Sequence, residues 1–316
     1  MVVLLTGVGT GLAASALMLI LHAVQHACFS YHTGDFQVGV EHATDLRRVL
    51  IVSLAGGVAA LGAWLLKRTP GGAAGEVDEA IWFRSGQLAV VKTLVQGLLS
   101  IVIVAMGTSL GREAAPKQSG AAVASQLCRW AGLSAAESRL LVACGAGVGM
   151  AAVYNVPLGG ALFTLEVLLG SLSLPLVLPA LATAFTATAV SWLFLPNLPT
   201  YVIPIYPATD AQIVWAVLFG PLAGLASVAF VRLILMAAAL RPRRGMTFTL
   251  PVFVFILLGF AAVPFPQLLG NGKGAAQLVF VGQISLPLLA PLVLLKPLAT
   301  SACLGSGAPA GSSPRV

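Results

Sequence analysis

The stretch Met106-Gly-Thr-Ser-Leu-Gly-Arg-Glu-Ala-Ala-Pro-Lys-Gln118 gathers three ionisable residues, Arg112, Glu113 and Lys117, between long apolar runs. A charge placed in lipid costs at least about 2.5–3.5 kcal/mol, so a membrane protein that keeps such a cluster usually uses it. The glycines before the cluster and the proline within it predict a break in a membrane-spanning helix. Broken helices are tolerated at membrane depth where they line a cavity or a binding site.

Composition places the chain among α-helical membrane proteins with several spans. Its 316 residues are 58% hydrophobic and 9% charged, and the mean hydropathy is +0.97, whereas soluble domains average about 25% charged residues. The long, unbroken apolar runs differ from the short alternating strands of a membrane β-barrel. The net charge of +7 indicates basic loops beside a bilayer, not a nucleic-acid partner. We therefore expect a multi-pass protein of the cell membrane, plasma or inner, surrounded by lipid.

The apolar runs predict an all-α fold with about ten membrane-embedded helices, several of them short or broken. Ser134 and Glu137 match a capping box, which predicts a helix start. Polar loops are expected at Phe29–Arg48 and Pro196–Asp210. Besides the helix that starts at Ser134, the predicted membrane helices are Val2–His26, Val49–Leu66, Gln87–Ala105, Gly120–Trp130, Ala161–Leu169, Leu174–Leu195, Gln212–Leu240, Phe248–Val263 and Leu286–Leu304.

The cysteines and histidines do not form a pattern typical of a metal centre or a disulfide framework. The four cysteines are scattered without paired spacing, so we expect them to be small buried apolar residues. His22 and His26 are four residues apart on one helix face, but no third ligand follows nearby. No pairing of a nucleophile with a base is evident either, so we expect no metal, no cofactor and no enzyme activity.

The predicted break would begin a new helix inside the membrane, with free backbone N–H groups and the positive end of its dipole. Such groups can hold a dehydrated anion without a full positive charge. The small residues Gly111, Ala114 and Ala115 would let the anion approach the backbone, and Arg112 adds positive potential. This stretch is therefore predicted to bind an anion.

Glu113 and Glu166 each allow two interpretations. A carboxylate beside an anion site competes for the same N–H donors, so Glu113 is a candidate gate and proton carrier that opens when protonated or swung aside. Alternatively, Glu113 pairs with Arg112 or Lys117 and only satisfies a buried charge. Glu166, alone in an apolar helix, is either hydrogen-bonded structural glue or part of an ion or proton path.

Several motifs resemble the CLC chloride channel and transporter family. Gly111-Arg-Glu113 looks like the family's gating-glutamate motif, and Tyr154-Asn-Val-Pro-Leu-Gly-Gly-Ala-Leu-Phe163 is similar to its Phe-Asn-Ala-Pro-Leu-Ala-Gly-x-Leu-Phe segment. Leu268-Leu-Gly-Asn-Gly272 and Gly305-Ser-Gly-Ala-Pro309 resemble two later stretches, in the same order. The resemblance implies broken and tilted helices in two inverted repeats. It also implies a homodimer with one anion path per subunit, and chloride transport gated by Glu113.

The sequence also departs from the family pattern. The family's first anion loop carries a Ser where Gly72 stands here, so backbone N–H groups would have to replace the hydroxyl. Ala114-Ala115 replaces the family's Gly-Pro, and Val167 replaces the second glutamate of proton-coupled members. The family continues past the last matched stretch, so we expect a truncated member. It would form one transmembrane domain over residues 1–316, with a first repeat over about 1–195 and an incomplete second repeat over about 208–311.

The function implied by the resemblance is transmembrane chloride transport, through a channel-like path or by Cl⁻/H⁺ exchange. Glu113 would be the gate, and Glu166 would lie on a possible proton or water path. Two alternatives stay open: transport of another anion such as fluoride or nitrate, and a truncated membrane remnant that conducts nothing. The predicted anion site comprises Gly72, Gly111, Arg112, Glu113, Ala114 and Ala115.

Overall fold

The computed structural model of the chain describes residues 1–31, 34–68, 76–207, 209–240 and 248–308. Within these ranges the secondary structure is helical, without a β-strand, which agrees with the all-α prediction. A π-helical turn, Thr164–Leu168, extends the eighth helix, and a 3₁₀ turn, Pro266–Leu268, precedes the twelfth. In chain order the helices are α1 Val2–Phe29, α2 Phe36–His42, α3 Asp45–Arg68, α4 Val77–Phe83, α5 Val90–Ala105, α6 Ala114–Ala131, α7 Ala135–Tyr154, α8 Pro157–Phe163, α9 Leu174–Ser191, α10 Asp210–Ala239, α11 Thr249–Ala261, α12 Lys273–Phe280 and α13 Leu286–Gly305.

Six helices of the described ranges are long and apolar enough to cross a membrane: α1, α3, α7, α9, α10 and α13. Three further apolar helices are shorter: α5, α8 with its π turn, and α11. Large apolar side chains are exposed along many of these helices, and α10 has no buried residue at all. Exposed apolar surface of this extent requires a nonpolar solvent such as lipid, so the mixture of long and broken spans agrees with a multi-pass membrane protein.

Small residues allow close packing of α1, α6, α7 and α9. A Cβ atom on Gly120 of α6 would collide with the carbonyl oxygen of Gly145 in α7, and the reverse substitution would also collide. A Cβ atom on Gly7 of α1 would lie 2.9 Å from the carbonyl oxygen of Thr183 in α9. Because lipid provides no hydrophobic driving force between helices, this close packing supplies much of their association energy.

The polar loop predicted for Phe29–Arg48 is wrong, because α2 and the start of α3 lie within it. The polarity of this region reflects buried polar contacts as well as exposure. Arg48 is buried: its Nε donates to the carbonyl oxygen of Ala43 at 3.1 Å, and its Nη1 donates to that of Ala262 at 3.1 Å. Carbonyl groups just past the end of α11 therefore solvate the guanidinium, and Arg48 ties α3 to α11.

Four predicted helix starts are shifted by three or more residues: those of α3 and α8, which begin four residues earlier at Asp45 and Pro157, and those of α5 and α6. α6 begins at Ala114 and not at Gly120, since Pro116 is accommodated in the first turn, where a helix has no N–H bond to lose. α5 begins at Val90 and not at Gln87. The start predicted for α6 lies too far along the chain, because the long apolar run begins only after the first turn of this helix, which is polar and contains a proline.

Other local predictions agree with the structure. The capping box is present: Ser134 N donates to Glu137 Oε2 at 2.9 Å, and Glu137 N donates to Ser134 Oγ at 3.4 Å. All four cysteines are free; three are buried and Cys28 is half-buried. The division into repeats over 1–195 and 208–311 within one domain stays a prediction.

Substituting Gly145 by Ala should destabilise the folded protein, because the new methyl group would meet the backbone of α6 and force the two helices apart. Overpacking of this kind costs about 1–3 kcal/mol. Thermal unfolding in detergent would measure the effect. Gly57→Ala in α3 is the matched control, since nothing lies within 4 Å of the position that its new methyl group would take. Equal melting temperatures for the two variants would contradict the close-packing account.

Candidate functional site

A break separates α5 from α6 where the sequence predicts one. α5 ends at Ala105, α6 begins at Ala114, and residues 106–113 are not helical. Residues 106–110 are buried, whereas Gly111 and Glu113 are exposed. The chain therefore emerges from the protein interior at the point where the second helix starts.

Hydrogen bonds hold the buried part of the break in place. Gly107 has φ +95, a left-handed conformation that glycine adopts without strain, and its carbonyl oxygen accepts a bond from Gly270 N at 3.0 Å. Thr108 Oγ1 donates to the carbonyl oxygen of Ile103 at 3.1 Å. Ser109 Oγ lies 3.1 Å from Thr300 Oγ1 of α13. Contacts with α5, α13 and the loop before α12 thus fix the conformation of the break.

Lys296 of α13 fastens the loop that contacts the break. Its Nζ donates to the carbonyl oxygens of Leu268 at 2.8 Å and Gly270 at 2.6 Å, with Leu269 O at 3.5 Å. The same Gly270 donates its N–H to Gly107. Lys296 was not among the predicted site residues, although a single lysine in the apolar run 286–304 was an available signal.

The start of α6 offers the backbone donors that the sequence predicts. Glu113 is the N-cap residue, and no described side chain caps the helix. The first-turn N–H groups of Ala114 and Ala115 therefore lack a side-chain acceptor, and Pro116 has no N–H. Ala114 is half-buried and Ala115 is buried. Gly72 lies outside the described residues.

The carboxylate of Glu113 is held by a tyrosine. Tyr154 OH donates to Glu113 Oε1 at 2.7 Å, and Glu113 Oε2 occupies the space where Gly111 would carry a Cβ atom. Lys117 Nζ instead pairs with Asp78, at 3.2 Å from Oδ1. Within the described part of the chain, the structure has no ion pair between Glu113 and Arg112 or Lys117, so the alternative of a simple buried ion pair is wrong.

Arg112 lies half-buried between α1 and the end of α7. Its guanidinium carbon lies 5.0 Å from the centroid of the Tyr154 ring, and its Nη1 lies 4.0 Å from Met18 Sδ. Its Nε is buried and has no hydrogen-bond partner in the structure. Arg112 therefore keeps donor capacity and a positive charge that no carboxylate of the described residues neutralises by direct contact.

Two cavities of about 300 Å³ and about 590 Å³ meet at Arg112. Both cavities are lined by His22, Asp35, Arg112 and Lys273, and the larger one also by Tyr154. Two permanent cations and one carboxylate give the shared wall a positive balance, which attracts anions. His22 and Lys273 were not predicted as site residues; in sequence they lie 84 or more residues apart from one another and from the break, so only the fold brings them together.

Glu166 lies apart from this cavity wall, in the π-helical turn Thr164–Leu168 that follows α8. It is exposed, as is its neighbour Val167. π-helical turns are rare and often mark functional positions. The structure therefore places Glu166 and Glu113 in separate environments.

A comparison with protein families decides the identity of this fold. The family model described as voltage gated chloride channel matches residues 56–312. The chain belongs to this family, the CLC channels and transporters. Members of the family are channels or transporters, which confirms at family level the expectation that the protein is not an enzyme.

Individual CLC proteins match this chain over different lengths. The voltage-gated ClC-type chloride channel ClcB of Yersinia pseudotuberculosis is 33% identical over 185 residues, covering 56% of this chain and 44% of the relative. The chain therefore spans less than half the length of that relative. A slow cyanobacterial Cl⁻/H⁺ antiporter has a TM-score of 0.80 at 20% identity, covering 98% of this chain and 74% of its own. A CLC-type fluoride/proton antiporter has a TM-score of 0.72 at 21% identity, with 98% and 75% covered; these two likenesses establish the CLC fold.

Replacing Lys296 by Met should lower the melting temperature of this CLC protein, because the carbonyl groups of the loop at 268–270 lose their shared donor. Each buried polar group left unpaired costs about 1–3 kcal/mol. Thermal unfolding in detergent would measure the loss, with Lys67→Met at the exposed end of α3 as the control. If both variants melt like the unmodified protein, Lys296 does not fasten the loop.

Proposed function

We propose that this chain carries an anion path of the CLC type and that chloride is the ion transported. The observation that supports this proposal is the start of α6, a helix N-terminus without a side-chain cap that directly follows a buried break. Backbone N–H groups at Gly111, Ala114 and Ala115 would hold a dehydrated anion. Gly72 would contribute further backbone donors.

The charged cavity wall would raise the local anion concentration at this site. Arg112 lies at the junction of both cavities, and Lys273 lines them as well. Neither cation has a carboxylate within ion-pair distance among the described residues. A concave surface with uncompensated positive charge concentrates anions and speeds their entry.

Glu113 would gate the path by competing with the anion for the same donors. The residue is the N-cap of α6, so a small side-chain rotation would bring its carboxylate to the N–H groups of the first turn. In the structure the carboxylate instead meets Tyr154, which leaves those groups available. Protonation would weaken the competition further, because a neutral carboxyl group interacts less with the helix dipole.

The mode of transport and the choice of anion extend this proposal. One structural neighbour is described as a Cl⁻/H⁺ antiporter, so exchange with Glu166 on the proton path is one candidate mode. A channel is the other, since Val167 replaces the second glutamate of proton-coupled members. The other is described as a fluoride/proton antiporter, which makes fluoride the second candidate substrate. We place the protein in the cell membrane as a homodimer. The contrasting hypothesis is a membrane protein that inserts and conducts nothing.

Substituting Glu113 by Gln should raise anion efflux at neutral pH and remove its pH dependence, because the amide cannot ionise. The measurement is chloride efflux from reconstituted vesicles, repeated with fluoride. Glu137→Gln is the control, since Gln preserves the capping box far from the site. An unchanged rate and pH response in Glu113→Gln would make the gate assignment wrong. If neither protein releases any anion, the non-conducting hypothesis is correct.

Substituting Glu166 by Gln should abolish chloride-driven proton uptake while chloride efflux persists. An amide cannot relay a proton but keeps the volume and polarity of the carboxyl group. Proton uptake would be followed with a pH-sensitive dye in vesicles under a chloride gradient, again with Glu137→Gln as control. Proton uptake at the unmodified rate would exclude Glu166 from the path, and chloride efflux without proton uptake in the unmodified protein would indicate a channel.

A further inference from the structure

Tyr154 combines two contacts that no other described residue makes together. Its hydroxyl group donates to Glu113 Oε1 at 2.7 Å, and its ring lies under the guanidinium of Arg112, 5.0 Å from Cζ. The residue ends α7 and is followed by Asn155 in the left-handed conformation, with φ +57. The side chain of Tyr154 thus reaches from the end of one helix to the start of another.

The backbone around Tyr154 is fixed independently of Glu113. Thr200 Oγ1 donates to the carbonyl oxygen of Tyr154 at 3.2 Å. Asn155 Nδ2 donates to Asn197 Oδ1 at 2.7 Å, and Trp192 Nε1 donates to Asn155 Oδ1 at 2.8 Å. These bonds anchor the end of α7 to residues that follow α9. The hydroxyl group is therefore a stationary donor, which stays in place when the glutamate moves.

We propose that Tyr154 is a positioning residue that holds the ionised Glu113 carboxylate away from the N–H groups of α6. This inference rests on the proposed function, in which Glu113 is the gate. A carboxylate that leaves the helix start gives up backbone donors and needs a replacement. Tyr154 supplies one charge-assisted hydrogen bond, and the nearby Arg112 supplies positive potential. The Glu113 side chain can therefore leave the N–H groups of α6 while it is ionised, and not only when it is protonated.

This arrangement departs from the family pattern that the segment resembles. The family segment that resembles residues 154–163 begins with Phe, which has no hydroxyl group, where Tyr154 stands here. A Phe side chain could pack beneath Arg112 in the same manner but could not donate to Glu113. The hydroxyl oxygen is therefore the one atom on which the inference depends.

Loss of the hydroxyl group should make opening depend more strongly on protonation. Without the replacement donor, the ionised carboxylate returns to the first turn of α6 and competes with the anion. Anion efflux at neutral pH should fall about tenfold, since hydrogen bonds to charged groups are among the strongest in proteins. The pH of half-maximal efflux should move about one unit toward acid, because the ionised carboxylate no longer contributes to opening and a larger protonated fraction must take its place.

Other titratable groups line the larger cavity together with Tyr154, and their effects must be separated from that of Glu113. They lie on α1, on the residues before α2, on the break and on α12: His22, Asp35, Arg112 and Lys273. Among them, only His22 has an ordinary pKa near neutrality. A His22→Gln background would remove this contribution, so any remaining shift belongs to the Glu113–Tyr154 pair.

The experiment compares Tyr154→Phe with the unmodified protein, both in the His22→Gln background, by chloride efflux from vesicles between about pH 4 and about pH 8. Tyr206→Phe is the matched control, because it removes a hydroxyl group that donates to the carbonyl oxygen of Phe280, outside the cavity wall. The expected result is an acid shift for Tyr154→Phe and none for Tyr206→Phe. Combining Tyr154→Phe with Glu113→Gln should erase the shift.

The outcomes separate the two proposals. If efflux depends on Glu113 but the Tyr154→Phe curve coincides with that of its parent, the positioning role is wrong and the gate stands. A shift that persists in the Glu113→Gln background would also overturn the positioning role, since it would arise from some other group. If neither the parent nor Glu113→Gln releases chloride, the proposed function fails, and the inference about Tyr154 fails with it.

Discussion

The structure depends on a helix, α6, that begins where the chain leaves a buried break. Backbone N–H groups at the start of a helix have no partner within it, and lipid offers none. The first turn of α6 therefore requires surrounding protein or a bound anion to satisfy it. The buried break, its bonds to Gly270 and Thr300, and the lysine that fastens the neighbouring loop all serve to hold this helix start in position.

Glycines decide how closely this helix start can be surrounded. Gly120 and Gly145 bring α6 and α7 into backbone contact, so the end of α7 reaches the beginning of α6. That closeness places Tyr154 beside Glu113. The hydrogen bond between Tyr154 and Glu113 therefore depends on the close packing of α6 and α7, since a wider separation would move the phenol out of reach of the carboxylate.

Features whose residues lie close together in the chain could be predicted from the sequence. The break was predictable because glycine, charge and proline lie within a few residues, and the capping box because Ser134 and Glu137 are three apart. The partners of Glu113 were not predictable in this way. Tyr154 is 41 residues from Glu113, and Lys117 was a nearer candidate until the fold paired it with Asp78. The polar residues of Phe29–Arg48 predicted an exposed loop. The sequence does not distinguish an exposed polar residue from a buried one, such as Arg48, whose hydrogen-bond partners lie far away in the chain.

Arg48 carries a consequence for the order in which the protein assembles. Two of its carbonyl partners, Ala262 and Val263, lie 214 and 215 residues later in the chain. When α3 first enters the bilayer during synthesis, those partners have not yet been translated. Until then the guanidinium has only its local contacts with Glu41, Ala43 and Asp45, and the nascent chain passes through a stage in which the two carbonyl groups beyond α11 are missing from its hydrogen bonds. Insertion of α11 ends that stage, so completion of the N-terminal helices is tied to a segment made much later.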